Sequence, residues 1–164
     1  MARRVQTEKY QHSLWDRLTN PDLRGDDVGI TPSSEAEKVK NEVRRDLEWL
    51  LNSRRANVSI PEGMTTLGKS LVTYGLPDFS SLSPHDPSER DRLLTVLEQA
   101  VQRFEPRLTE VRVICNPDDQ NKARSLIHYR IEAMLRIDPA PEAIVFDTVL
   151  ELGNRAFVVK REGT

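Results

Sequence analysis

The feature that most constrains the fold is a change in the spacing of apolar residues at Pro106. Before it, apolar residues recur at helical spacing, and they are Leu93, Leu94, Leu97, Ala100, Val101 and Phe104. After it, Val111, Val113 and Cys115 alternate with more polar positions, as in a strand with one buried face. Proline cannot continue a helix, and it biases the residue before it towards an extended conformation. The sequence therefore predicts a helix that ends beside Glu105, followed by a strand.

An earlier long helix is predicted from about Ser34 to Leu51. Ser34 and Glu37 have the spacing of a capping box, in which each side chain binds a free backbone N–H of the other. The apolar stripe of this helix comprises Ala36, Val39, Val43, Leu47, Leu50 and Leu51. The stripe leaves Lys38, Lys40, Glu42, Arg45 and Glu48 to face solvent. Trp49 lies off its centre, and is expected at the helix edge or on a second surface.

The second long helix has the clearest start, because Asp86 can cap it and Pro87 suits its first turn. Between the two long helices, residues 56–86 have mostly turn chemistry. One short helix is expected within 66–74, with Leu67, Leu71 and Tyr74 facing inward. Leu76 and Phe79 are the expected anchors of the loop that follows.

Three more strands are predicted after the one that follows Pro106. They cover 127–135, 144–152 and 157–160, and short turns join them. Helices followed by strands indicate an α+β fold. We therefore expect two long helices plus a short helix, packed on an antiparallel sheet of about four strands. Residues 1–33 are interpreted as an N-terminal arm with a short helix near 13–18, and residues 34–164 as a single domain.

Composition excludes several classes of function. The net charge is −2, which provides no general attraction to nucleic acid or to an anionic membrane. No apolar run is long enough to span a membrane, and the first residues lack the apolar core of a secretory signal. With a single cysteine and three scattered histidines, the chain has no metal-ligand pattern, and it lacks a phosphate-binding glycine loop. We expect a cytoplasmic protein without cofactor, metal or small-molecule substrate.

Glu105 has an unusual local setting. The exposed carbonyl groups at a helix C-terminus disfavour a carboxylate by about 0.3–1 kcal/mol. In an extended segment residues two apart point the same way, so Glu105 and Arg107 should project side by side. The pair is either a surface ion pair at a helix end or part of a site. Glycoside hydrolysis would need a second carboxylate, for which Glu98 and Glu110 are merely close in sequence.

Four segments resemble known proteins. Phe104-Glu105-Pro106-Arg107-Leu108, with the alternating strand behind it, resembles the Glu-Pro-Arg motif of the phage baseplate-wedge family, historically labelled lysozyme-like. Residues 13–18, 46–55 and 74–79 resemble its type VI secretion branch, the TssE baseplate subunits. The resemblance extends from near residue 13 to the last strand.

The resemblance implies a structural role without enzymatic activity. Members of this family sit in the wedge of a contractile-tail baseplate and form the platform on which the sheath begins to polymerise. Their motif is understood to hold the subunit to the helical core bundle of neighbouring wedge proteins. By position this assigns Glu105, Pro106 and Arg107 to partner binding. The expected partners are the wedge proteins that form the core bundle and the first ring of sheath subunits, with the terminal strands as a second candidate surface.

Two alternatives remain at this point. One is the corresponding subunit of a phage tail or of a related contractile injection device. The other belongs to a different class, a peptidoglycan-cleaving glycosidase that uses Glu105. For the structural role, we expect substitution of Glu105 or Arg107 to abolish assembly and to leave the fold intact.

Overall fold

The computed structural model describes residues 12–19, 32–68, 70–79, 86–115, 126–137, 140–151 and 153–161. Its elements, in chain order, are α1 (Leu14–Thr19), α2 (Pro32–Asn52), α3 (Thr65–Gly68), α4 (Pro87–Phe104), β1 (Leu108–Cys115), β2 (Leu126–Leu135), β3 (Glu142–Glu151) and β4 (Ala156–Arg161). The α+β prediction is confirmed, with two long helices and a four-stranded antiparallel sheet. The division into an arm (1–33) and a domain (34–164) stays a prediction, since 1–11 and 20–31 lie outside the described residues.

The sheet is a simple meander in which each strand pairs with the next in the order β1-β2-β3-β4. Alternate side chains of every strand point to one face, where α4 packs on β1 and α2 packs on β4. The predicted alternation is confirmed most clearly in β2, whose buried residues are Ile127, Tyr129, Ile131, Ala133 and Leu135. The core therefore lies between the two long helices and one face of the sheet.

Most of the apolar stripe predicted for each long helix is buried, whereas Ala36, Leu94 and Phe104 are partly exposed. In α2 the buried residues are Val39, Val43, Leu47, Leu50 and Leu51, and in α4 they are Leu93, Leu97, Ala100 and Val101. At the start of α4, the Asp86 carboxylate accepts a hydrogen bond from the Ser88 N–H at 2.9 Å, which confirms the cap. Helix α2 begins at Pro32, which places Ser34 inside its first turn. The prediction that Ser34 caps α2 is therefore wrong.

The single short helix predicted within 66–74 is wrong as well. The segment contains α3 and a separate 3-10 turn at Leu71–Thr73, and Leu71 is 82% exposed. Thr73 is buried instead, because its hydroxyl can donate to the carbonyls of Gly68 and Ser70, each 3.0 Å away. These local bonds to the backbone favour a tight turn over a continuous helix.

Leu76 and Phe79 anchor the following loop, as expected. Leu76 is fully buried, and the Phe79 ring packs edge-on against Phe157, with centroids 6.0 Å apart. Gly75 has a φ of +95°, and a Cβ on it would lie 2.4 Å from the Ser53 carbonyl oxygen. Only glycine fits this close approach, which brings the loop against the end of α2.

A β-bulge interrupts β1 directly after the candidate motif. The register with β2 shifts between Thr109 and Arg112, and Glu110 has a φ of +53°. The extra residue lets Leu108 and Val111, three positions apart, both face the core. Within the described part of the chain, no helix is long and apolar enough to cross a membrane.

Candidate functional site

Glu105 and Arg107 form a buried, two-pronged ion pair. Glu105 follows α4 as its C-cap, with φ −119° and ψ 78°, a backbone that is neither helical nor fully extended. Arg107 donates from Nε to Glu105 Oε1 at 2.7 Å and from Nη2 to Oε2 at 2.6 Å. The predicted side-by-side geometry is confirmed. The interpretation as a surface pair is wrong, because Glu105 is 4% and Arg107 5% exposed.

Arg107 also joins α2 to this pair. Its Nη2 donates to Asp46 Oδ2 at 2.6 Å, and Arg45 Nη2 donates to Asp46 Oδ1 at 2.9 Å. Arg45 in turn binds both carboxylate oxygens of Asp16, at 2.7 and 3.0 Å. A continuous ion-pair chain therefore runs from α1 to the end of α4 through Asp16, Arg45, Asp46, Arg107 and Glu105.

The first described residues of the arm pack on α2 by the same kind of contact. His12 Nδ1 lies 2.9 Å from Glu42 Oε1, and the Ser13 N–H donates to Glu42 Oε2 at 3.3 Å. The ring of Trp15 meets the ring of Trp49 edge-on, with centroids 6.3 Å apart. The prediction that Glu42 and Arg45 face solvent is wrong, since both contact the arm.

Hydrogen bonds and charge interactions keep Arg107 and Asp16 ionised against the opposing effect of burial. Burial alone would lower the pKa of Arg107, but its hydrogen bonds and charge interactions with Glu105 and Asp46 outweigh burial and raise it. The hydrogen bond from Arg45 lowers the pKa of Asp16. Burial raises the pKa of Tyr74, and the charges of Asp46 and Glu105 raise it further. Arg107 Nη1 makes no hydrogen bond among the described residues and lies 3.7 Å from Glu42 Oε2.

A cavity of about 370 Å³ adjoins the ion-pair chain, and we call it the motif cavity. Its walls include Trp15, Trp49, Tyr74 and Phe104, together with all three motif residues. The rings of Tyr74 and Phe104 pack edge-on with centroids 5.2 Å apart. Pro106 is exposed at the surface between the two buried charges. The arrangement offers aromatic walls and a rigid charged wall, which suits binding of protein side chains.

Neither carboxylate proposed as a second acid joins this cavity. Glu98 accepts a hydrogen bond from the Val113 N–H at 2.8 Å, and Glu110 is exposed in the bulge. Asp46 is the carboxylate that shares Arg107 with Glu105, and sequence reasoning missed it. The available signal was helical spacing, since Glu42, Asp46 and Trp49 lie on one side of α2. The described residues hold no cluster of three metal-ligating side chains.

Comparison with known proteins identifies the family. The family model described as "Baseplate wedge protein gp25" matches residues 37–140, more than half of the chain. The chain belongs to this family. The match includes Asp46 and the Glu105-Pro106-Arg107 motif, whereas α1 precedes it.

Among solved structures, one similar chain comes from a structure titled "The baseplate complex from the type VI secretion system". The two chains are 20% identical, the likeness covers 68% of this chain and 97% of that one, and the TM-score is 0.44. No match was found among curated proteins.

Proposed function

We propose that this chain is a structural subunit in the baseplate wedge of a bacterial type VI secretion machine and that it acts by binding alone. The family match over residues 37–140 carries the proposal. The partners would be the wedge subunits that form the core bundle and the first ring of sheath subunits. The chain would bind them in the cytoplasm. The segments at 13–18, 46–55 and 74–79, which resemble the secretion branch, favour it over a phage tail or related injection device.

Glu105, Pro106 and Arg107 are proposed as the partner-binding site, with different roles. The two charged residues are buried and paired with each other, and Arg107 also binds Asp46 of α2, so they hold the motif cavity in shape. Pro106 and the aromatic walls are the part that a partner segment would touch. This division changes the expectation for substitutions. Loss of Glu105 or Arg107 should weaken the fold, and it cannot by itself identify an interface.

The interface is therefore tested at Pro106. Pro106→Glu introduces a charge at an exposed position, and Pro61→Glu does the same in the loop after α2. Each tagged protein is expressed in the source bacterium and isolated under native conditions, after circular dichroism confirms its fold. We expect the wild type and Pro61→Glu to co-purify with large baseplate subunits. With Pro106→Glu, the recovered amount of these subunits should fall at least about tenfold. Equal recovery of both variants would exclude the motif as the contact.

The assignment to a secretion machine is tested by sheath assembly. Deletion of the gene should abolish the long sheaths seen with a fluorescently labelled sheath subunit, and wild-type protein should restore them. Normal sheaths in the deletion strain would contradict the proposed function. Association with phage-tail proteins in place of a secretion baseplate would favour the alternative branch.

A hydrolytic role finds little support in the geometry. Both Glu105 oxygens accept hydrogen bonds from Arg107, so the carboxylate is paired as an ion and is not arranged as a proton donor. We expect the purified protein to release no fragments from peptidoglycan at high excess. Release that is lost in Glu105→Gln, with the fold retained, would support the glycosidase alternative.

A further inference from the structure

A second cavity also has Phe104 in its wall. It has a volume of about 560 Å³ and runs between α4 and the loop around Gly75. We call it the basic groove, and define it by Arg55, Gln99, Ala100, Gln102, Arg103 and Phe104. Phe104 lines both this groove and the motif cavity. The two cavities therefore share a wall, yet the groove contains none of the motif residues.

The groove has a one-sided charge. Arg55 and Arg103 are both exposed, and no aspartate or glutamate lines it within the described chain. Neither arginine forms an ion pair with another described residue. The Arg103 guanidinium lies over the ring of Phe104, 5.9 Å from its centroid. Guanidinium groups bind carboxylates through paired hydrogen bonds, so two of them beside one groove favour an acidic ligand.

The interior of the groove adds an apolar surface between these charges. Ala100 is almost fully buried, and Val96 and Phe104 are partly buried against the core. The carboxamides of Gln99 and Gln102 lie beside them and can bind backbone groups. The volume of the basic groove falls within the range of ordinary ligand cavities. Such a groove fits an apolar side chain flanked by carboxylates.

We propose that the basic groove binds an acidic segment of another baseplate subunit, at a contact separate from the motif cavity. The occupant is a stretch of protein in which at least two aspartates or glutamates flank an apolar residue. This inference rests on the proposed function, because it takes the partner from the baseplate. It adds a second attachment point next to the motif cavity, so that one subunit can hold two neighbouring segments at once.

Photo-crosslinking in the assembled machine tests the proposal. A benzophenone amino acid is placed at Gln99, which lines the groove, and as a control at Thr95, which is exposed on α4 and does not line it. After irradiation of cells, the adduct is isolated through a tag on this chain, and its peptide is identified by mass spectrometry. The same experiment is repeated with Arg55→Glu/Arg103→Glu. The matched control is Arg54→Glu/Arg92→Glu, which changes the net charge equally at exposed arginines outside the groove.

We expect an adduct from position 99 with a carboxylate-rich segment of a baseplate subunit, and no such adduct from position 95. Arg55→Glu/Arg103→Glu should reduce its yield at least about tenfold, whereas Arg54→Glu/Arg92→Glu should retain it. The inference would be overturned if no adduct formed, or if the crosslinked peptide lacked carboxylates or came from this chain or a second copy of it. It would also be overturned if both arginine variants reduced the adduct yield equally. Co-purification of large baseplate subunits is measured on the same samples. If the subunits co-purify but no adduct forms, only the groove inference fails. If the subunits do not co-purify, the proposed function fails.

Discussion

Arg107 is the residue on which the site depends. Its side chain is buried, and it contacts carboxylates from two helices, Asp46 of α2 and Glu105 at the end of α4. Removing ions from water is costly, and the cost is recovered only where the hydrogen bonds are well formed. Here Arg107 donates four hydrogen bonds, three to Glu105, of which one comes from its backbone N–H, and one to Asp46. Its first role is therefore to fix the position of the chain around Pro106.

Arg107→Met should lower the free energy of unfolding by about 3–5 kcal/mol, because it leaves Glu105 buried without its partner. Glu105→Leu should cost a similar amount. The double variant should lose clearly less free energy of unfolding than the two single variants lose together, because neither Glu105 nor Arg107 then remains as an unpaired charge. Urea unfolding of the four proteins at pH 7 measures the three differences.

Arg130→Met is the matched control for this series. Arg130 pairs with Asp147 at 3.4 Å on the exposed face of the sheet. We expect a loss of at most about 1 kcal/mol, as for other exposed pairs. Losses at Glu105 and Arg107 that are small or strictly additive would contradict the role of a buried, coupled pair.

Part of this residue-scale picture could be predicted from the sequence. The end of the helix before Pro106 is a local effect, and the predicted proximity of Glu105 and Arg107 is confirmed, although Glu105 is not fully extended. The burial of the pair depends on Asp46, which is 61 positions away in the sequence. No local rule links those positions. The motif could therefore be located from the sequence, but its environment could not.

Among the elements, α1 is attached to α2 through an ion pair. Its carboxylate Asp16 binds Arg45, while Trp15 is 57% and Leu18 61% exposed. An arm attached in this way is expected to detach when the ion pair is lost. Both tryptophans of the chain, Trp15 and Trp49, lie at this contact, so their fluorescence reports it.

The attachment of α1 should weaken in acid. The hydrogen bond from Arg45 lowers the pKa of Asp16 below its ordinary value of 3.8. The stabilisation is therefore fully present above that value, and it is lost as the pH falls through the lowered pKa. We expect the tryptophan emission to change below about pH 4. Asp16→Asn should show the changed emission already at pH 7 and should lack this acid step.

Asp147→Asn serves as the control, since Asp147 of β3 pairs with Arg130 of β2, and neither residue belongs to α1 or α2. Far-UV circular dichroism, recorded in parallel, separates detachment of α1 from unfolding of the domain. Identical emission profiles for Asp16→Asn and the wild type would show that the Asp16–Arg45 pair does not hold the arm.

The strands could be predicted more closely than the loops. Each strand has one face on a single helical layer, so alternation in the sequence maps directly onto burial. The bulge at Glu110 has no such signal in the sequence. Glycine is the usual residue at a positive φ, and here a glutamate adopts it. The prediction that Leu71 faces inward fails for a related reason. The hydroxyls of Ser70 and Thr73 donate to backbone carbonyls and form a turn that exposes Leu71. Periodicity identifies elements that bury a face, and it fails where side chains bind the backbone.

At the scale of the whole molecule, helix side chains bind backbone groups on both edge strands of the sheet. On β4, the Asn52 carboxamide accepts from the Phe157 N–H at 2.9 Å and donates to the Phe157 carbonyl at 2.8 Å. On β1, Glu98 accepts from the Val113 N–H, and Gln102 lies 3.5 Å from the Val111 carbonyl. Unpaired edges invite pairing with other chains. A partner strand that adds to β4 would have to replace the Asn52 bonds.

Asn52→Ala should therefore make the free subunit self-associate. The variant leaves the Phe157 N–H and carbonyl without their partner, at a cost of about 1–3 kcal/mol, and exposes a pairing edge on β4. Sedimentation velocity should show more concentration-dependent association than for the wild type. Asn154→Ala is the control, because Asn154 binds the Ala156 N–H in the turn before β4 and leaves the outer edge closed. If Asn52→Ala associates no more than Asn154→Ala, then α2 does not protect this edge, and a partner strand needs no displacement of Asn52 to pair with β4.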